Sequence, residues 1–250
     1  LAPYAERHRL ALIAAFVLLV MGLGVKAALV PLHRWLPVAM VAPAPVSALL
    51  HAVAVVKAGA FGITRVLYDV FGLRFARDLG VTRFLAIAAA VTILYASCAA
   101  LLQTDLKRRL AYSTVSQISY IVLGMAVYGA LSTIGGSVHL VHQGLMKVTL
   151  FFCAGNLAEE LGVHDIQELR GVGRRMPLTM AAFTIGALGM IGVPPSAGFV
   201  TKWYLGVGAL EAGEAWCVPV LLASSLLNGA YFLPIIYDAW FAEPRIVFRE

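Results

Sequence analysis

The sequence predicts an all-α fold, a polytopic bundle of membrane-spanning helices, and three observations carry that prediction. Of the 250 residues, 61% are hydrophobic and 13% charged, with a mean hydropathy of +0.86. That is too few charges to coat a soluble domain of this length. Apolar runs such as Leu10–Val30 are about the length that crosses a bilayer's hydrocarbon core. About seven such segments follow one another, separated by short linkers that hold much of the Pro, Gly and Arg.

The segments fall at roughly 10–30, 46–67, 84–103, 111–128, 133–156, 178–206 and 217–240. The first ends in "MGLGVKAALVP" and runs into a linker with Pro31, Pro37, Pro43 and Pro45, so a discontinuity is expected near Gly22–Pro31. The second, "SALLHAVAVVKAGAFGITR", reads as one apolar helix with His51 and Lys57 near its middle. A loop is expected at 69–83. The third and fourth segments are joined by "QTDLKRR", and the fifth carries "HLVHQGLMK". In the sixth, "GALGMIGVPPSAGFVTK", Pro194 and Pro195 cannot both fit an unbroken helix, which places a second break near Pro194–Gly198. Non-helical backbone at membrane depth is tolerated only where it is buried in protein or lines a wet cavity. Two spans broken in related positions is the pattern of a transporter built from repeated halves.

If every segment spans, alternate linkers share a side. Arg34, Lys107, Arg108, Arg109, Arg170, Arg174, Arg175, Arg245 and Arg249 then gather on one side, which the positive-inside bias places in the cytoplasm. The net charge of +6 is thereby read as topology, and nucleic acid is excluded as a partner. Cys98, Cys153 and Cys217 stand singly in apolar segments without metal-ligand spacing, so they read as inert small hydrophobes. A chain that opens on Leu1, with no leader before its first span, reads as a piece of a longer protein.

The two cations are sorted differently. Of five lysines only Lys107 lies in a loop; Lys26, Lys57, Lys147 and Lys202 fall within apolar spans, whereas the arginines keep to linkers and span ends. Arginine stays protonated, while a desolvated lysine can exchange a proton and histidine titrates near neutrality. Lys26 is five residues from Pro31 and is equally well placed to snorkel. Lys57 has apolar or small residues for about ten positions on either side and is not. His139, His142 and Lys147 fan over an arc of roughly 140° on one helix, whereas His51 and Lys57 are about 120° apart and two turns separated. No acidic residue lies well inside the first five spans, and Asp238 is near the end of the last, so protons suit the lining better than sodium, a hard cation. The residues point to proton or ion conduction.

Four blocks, "KAALVPLHRWLPVAMVAPAPVSALLHAVAVVKAG", "DLKRRLAYSTVSQISYI", "HLVHQGLMKVTLFFCAGN" and "GVPPSAGFVTKWYL", resemble the antiporter-like membrane subunits of respiratory complex I, of Mrp-type cation/proton antiporters and of energy-converting hydrogenases. With "VHDIQELRGVGRRMP" they look closest to the Mrp D-type or hydrogenase-type branch. The resemblance implies a polypeptide of about fourteen spans with two inverted five-helix repeats. Residues 1–68 would end the first repeat, 84–240 would form the second with its broken helix near 186–202, and 241–250 would be a tail. It implies a proton pathway through Lys26, His51, Lys57, His139, His142, Lys147 and Lys202. Gln143 stands where the family usually has a histidine, which bears on the relay near Lys147. The implied function is proton translocation coupled to a redox partner of NADH:quinone oxidoreductase or hydrogenase type, with sodium/proton exchange as the alternative. Expected partners are the bilayer of the inner cell membrane, other membrane subunits, and protons or sodium. No cofactor is expected in this chain, and any NADH, flavin or iron–sulfur chemistry would belong to partner subunits.

Overall fold

A computed structural model of the protein describes residues 8–50 and 54–243, and within them the chain is helical, without a strand. Eight principal helices carry the fold: α1 Arg9–Ala27, α2 Val55–Arg65, α3 Val81–Leu101, α4 Leu106–Ala126, α5 Ala130–Leu161, α6 Pro177–Ile191, α7 Ala197–Glu211 and α8 Cys217–Phe241. By length and apolar composition α1, α3 and α8 qualify directly as membrane spans. Helices α4 and α5 are long enough, but their apolar sequence is diluted by hydroxyl, amide and basic side chains that turn inward. The fifth helix, 32 residues, is about 48 Å long and exceeds the hydrocarbon core.

Local chemistry sets the helix ends. The Asp105 side chain caps α4 by accepting from Arg108 N at 2.7 Å, and Ser196 caps α7. Pro177 opens α6 at a position where its missing N–H costs nothing.

Both expected discontinuities are present, each shifted slightly. The first helix runs unbroken through Gly22 and stops at Ala27, where Ala28 turns left-handed (φ 56°). A Gly inside a helix lowers its stability without interrupting it, so the break follows the prolines rather than Gly22. The second break opens at Gly192 (φ 87°), a conformation without penalty only for glycine, and closes at Ser196.

Two expectations are corrected. Ser47–Arg65 is not one helix: a short helix Ala44–Ala48 precedes α2, and Ala54 N bonds to Leu49 O at 3.0 Å, a π-type turn. His51, and with it the 120° reckoned between positions 51 and 57, lies outside the described residues. The loop expected at 69–83 is largely helical: a π-turn reaches Phe71, Leu73–Asp78 forms a short helix, and α3 starts at Val81. Its Ala76 and Leu79 are buried while Arg74, Arg77 and Asp78 face outward, an amphipathic pattern too short to read in isolation.

The fourth helix is the axis. Nearly every residue from Leu110 to Ala126 is buried, and α4 belongs to both hydrophobic clusters, one with α1, α2 and α3, the other with α5, α6 and α8. Alternate linkers do share an end. Leu106 N bonds His164 O, Gly171 N bonds Asp238 O, and Arg34 and Arg108 line one cleft. At the opposite end Arg77, Arg83, Tyr128 and Glu214 line another.

Candidate functional site

Helices α4, α5 and α8 each present a polar stripe with the i, i+4, i+7 or i, i+4, i+8 spacing of one helical face. They are Ser113, Gln117 and Tyr120 on α4, His139, Gln143 and Lys147 on α5, and Ser224, Asn228 and Tyr231 on α8. All nine side chains are buried. Gly124 of α4 and Gly136 of α5 lie against each other, which lets those two helices approach closely.

Lys147 is 0% exposed. Its Nζ donates to the Leu110 carbonyl at 2.9 Å and to the Ser113 hydroxyl. Both acceptors are neutral, and among the described residues no carboxylate meets the ammonium. Lys202 reaches from α7 across the second break to the end of α6, donating to Ile191 O at 2.7 Å, Met190 O at 3.2 Å and Ser225 Oγ at 2.9 Å. These carbonyls are the ones a helix C-terminus leaves without internal partners, and the dipole there favours a cation. The break therefore supplies the lysine with acceptors that an intact helix would have used up.

Tyr120 stands between Lys202 and His139. The Lys202 Nζ is 5.5 Å from its ring centroid, and the His139 ring is also 5.5 Å away on a tilted approach. The Tyr120 hydroxyl faces Ser224 and Ser225 without a hydrogen bond of good geometry to either. His139 Nδ1 lies 3.0 Å from Thr201 Oγ1, whose own proton goes to Gly198 O at 2.9 Å. A hydroxyl has one proton, so Nδ1 donates while that proton stays on Gly198 O and accepts when the hydroxyl turns to it, with the ring tautomer following; the other ring nitrogen is Nε2. That Nε2 is buried without a partner, as are both polar atoms of Gln117 and of Gln143. Leaving such groups without partners costs about 1–3 kcal/mol each, so their clustering on facing helices calls for a reason other than packing.

The expected site residues separate into groups. His139, His142 and Lys202 are brought together around α7, with His142 Nδ1 donating to Ala197 O at 3.1 Å. Lys147 points to α4, the helix whose Tyr120 also meets His139, while His142 turns to Ala197 at the start of α7. Lys57, partly buried one turn into α2, is within electrostatic reach of His139, as is Lys202. Lys26 stands exposed in the last turn of α1, and the adjacent Val25 carbonyl is taken by the Trp35 indole at 2.7 Å. Pro194 and Pro195 form the second break. Sequence reasoning missed Ser113, Gln117, Tyr120, Thr201, Ser225, Asn228 and Tyr231. The signal was there in "YSTVSQISY" and "SSLLNGAY", hydroxyl- and amide-rich stretches at helical spacing inside spans.

Residues 4–228 match the family described as NADH:quinone oxidoreductase/Mrp antiporter, transmembrane. The chain belongs to this family. NADH-quinone oxidoreductase subunit N of Desulforudis audaxviator is 46% identical over 230 residues, 91% of this chain and 45% of the relative. The structure of the Mrp complex from Dietzia sp. DQ12-45-1b superposes with a TM-score of 0.87 at 29% identity, covering 94% of this chain and 44% of that one. The membrane-bound sulfane sulfur reductase, an archaeal respiratory membrane complex, superposes with a TM-score of 0.83 at 31% identity, covering 94% and 48%. The chain thus spans between about a third and a half of the length of the relatives it matches. It is an antiporter-like, multi-pass membrane subunit with relatives in several branches of the family.

Proposed function

We propose that this chain carries the second proton half-channel of a proton-translocating subunit, working beside other membrane subunits in a complex of the inner cell membrane and powered by a redox partner. Residues 1–68 would close the first inverted repeat and 84–240 would form the second. The observation that carries the reading is Lys147, wholly buried and bonded only to a carbonyl and a hydroxyl. A permanent charge so placed is costly, whereas a lysine that alternates between ammonium and amine fits acceptors that serve both forms. Unpartnered Gln117, Gln143 and His139 Nε2 atoms support a hydrated connection beside it. In this reading Lys57 receives charge from the first repeat, His139 and Lys147 pass it on, and Lys202 holds it at the broken helix until release. Lys26, His51 and His142 belong to the same pathway, nearer its entry and flanks.

The test is Lys57→Arg in the full-length protein within its complex. Arginine keeps the charge but does not give up its proton, so proton uptake into vesicles should fall at least tenfold while the complex still assembles. Wild-type uptake would reduce Lys57 to a fixed positive charge and remove the relay. Sodium/proton exchange is the second reading, favoured by the likeness to the Mrp complex. It requires transport to disappear when sodium is replaced by choline, whereas proton translocation persists.

A further inference from the structure

Lys147 and Lys202 sit on different helices, yet a line of buried side chains runs from one to the other. Lys147 donates to Ser113. The Ser113 hydroxyl faces the Tyr231 hydroxyl without a hydrogen bond of good geometry between them. Tyr231 donates to Asn228 Oδ1. Asn228 Nδ2 donates to Met190 O at 3.2 Å, the same carbonyl that accepts from Lys202 at 3.2 Å. Ser113, Asn228 and Tyr231 are each 0% exposed. None of the three is charged, and their helices, α4 and α8, contribute none of the pathway lysines.

We propose that Ser113, Tyr231 and Asn228 form a side-chain bridge that couples the hydrogen-bonding states of Lys147 and Lys202. The inference rests on the reading that these two lysines exchange charge. An asparagine amide is a poor proton carrier, so the bridge orients rather than conducts, and the three are positioning residues.

The hydroxyls act as rotors. Ser113 donates to Leu110 O at 2.9 Å while accepting from Lys147. When Lys147 becomes an amine, the Ser113 proton can turn to it or to the lone pair of Tyr231, whose own proton is committed to Asn228. At the far end, Asn228 and Lys202 share one acceptor, so a firmer Asn228 contact weakens the hold of Met190 on Lys202. Buried hydrogen bonds joined in series influence one another more than isolated pairs do.

The experiment is a double-mutant cycle on proton uptake by the full-length protein in its complex, reconstituted in vesicles. Tyr231→Phe and Ser113→Ala should each slow uptake about fivefold, the worth of one net hydrogen bond. The double variant should be no slower than the slower single. Ser113→Thr, which keeps the hydroxyl, should restore the wild-type rate, a rescue that a mere packing role does not predict. Should Tyr231→Phe fail to assemble, Asn228→Leu with Ser113→Ala runs the same cycle. Wild-type uptake in Tyr231→Phe, or losses that multiply in the double variant, overturns the bridge. Lys202→Ala separates the two levels: normal uptake there removes the pathway reading itself, while loss there with normal Tyr231→Phe removes the bridge alone.

Discussion

At Lys147 two costs compete. Desolvating an ammonium is unfavourable by several kcal/mol, and the carbonyl of Leu110 with the hydroxyl of Ser113 recover only part of it. A residue kept purely for packing would be better served by an apolar chain of the same volume. Lys147→Met should therefore leave the melting temperature of the complex unchanged or higher, because Leu110 O retains Ser113 as a donor. Proton uptake should nevertheless be lost. Thermal unfolding and vesicle uptake measured on the same preparation check this, and a lowered melting temperature with normal uptake would mark Lys147 as structural. The same reasoning explains why lysine placement was legible from the sequence: an ionisable residue in an apolar run is visible without coordinates, since its neighbours along the chain already define its surroundings.

Among the elements, the crossing of α1 and α2 decides where Lys57 stands. Gly59 lies against α1 so closely that a Cβ there would meet Ala27 N, with Lys26 C at 2.7 Å. Intrinsic propensity favours Ala over Gly in a helix by about 1 kcal/mol, but backbone cannot yield as a side-chain tip does. Gly59→Ala should therefore destabilise the bundle by about 1–3 kcal/mol, read as a lower melting temperature in detergent. A stabilised variant would show that the helices separate easily. The interruption at Ala54 belongs to this scale as well. Nothing in "SALLHAVAVV" is a helix breaker, so the π-type turn to Leu49 was invisible in the sequence. The breaks at Pro31 and Pro194–Pro195 were legible because proline lacks the N–H that a continuous helix needs.

For the whole molecule, the bundle sorts its linkers into two ends, one lined by Arg34 and Arg108, the other by Arg77 and Arg83. The charge bias predicts that the Arg108 end faces the cytoplasm. In a variant without Cys98, Cys153 and Cys217, a cysteine at Arg108 should resist a membrane-impermeant maleimide added to intact cells, and one at Asp78 should react. Labelling at Arg108 alone would invert the topology. The sequence by itself determined what depends on neighbours along the chain: the apolar spans, both proline breaks, the family, and the lysines set in hydrocarbon. Only the tertiary structure decided which side chains meet. Hydroxyl and amide residues are ordinary until helices bring them face to face, and Ser113, Asn228 and Tyr231 acquire their role from α4 and α8 packing against α5 and α6. Burial, and with it the strength of every polar contact, is a property of the packed bundle rather than of any one segment.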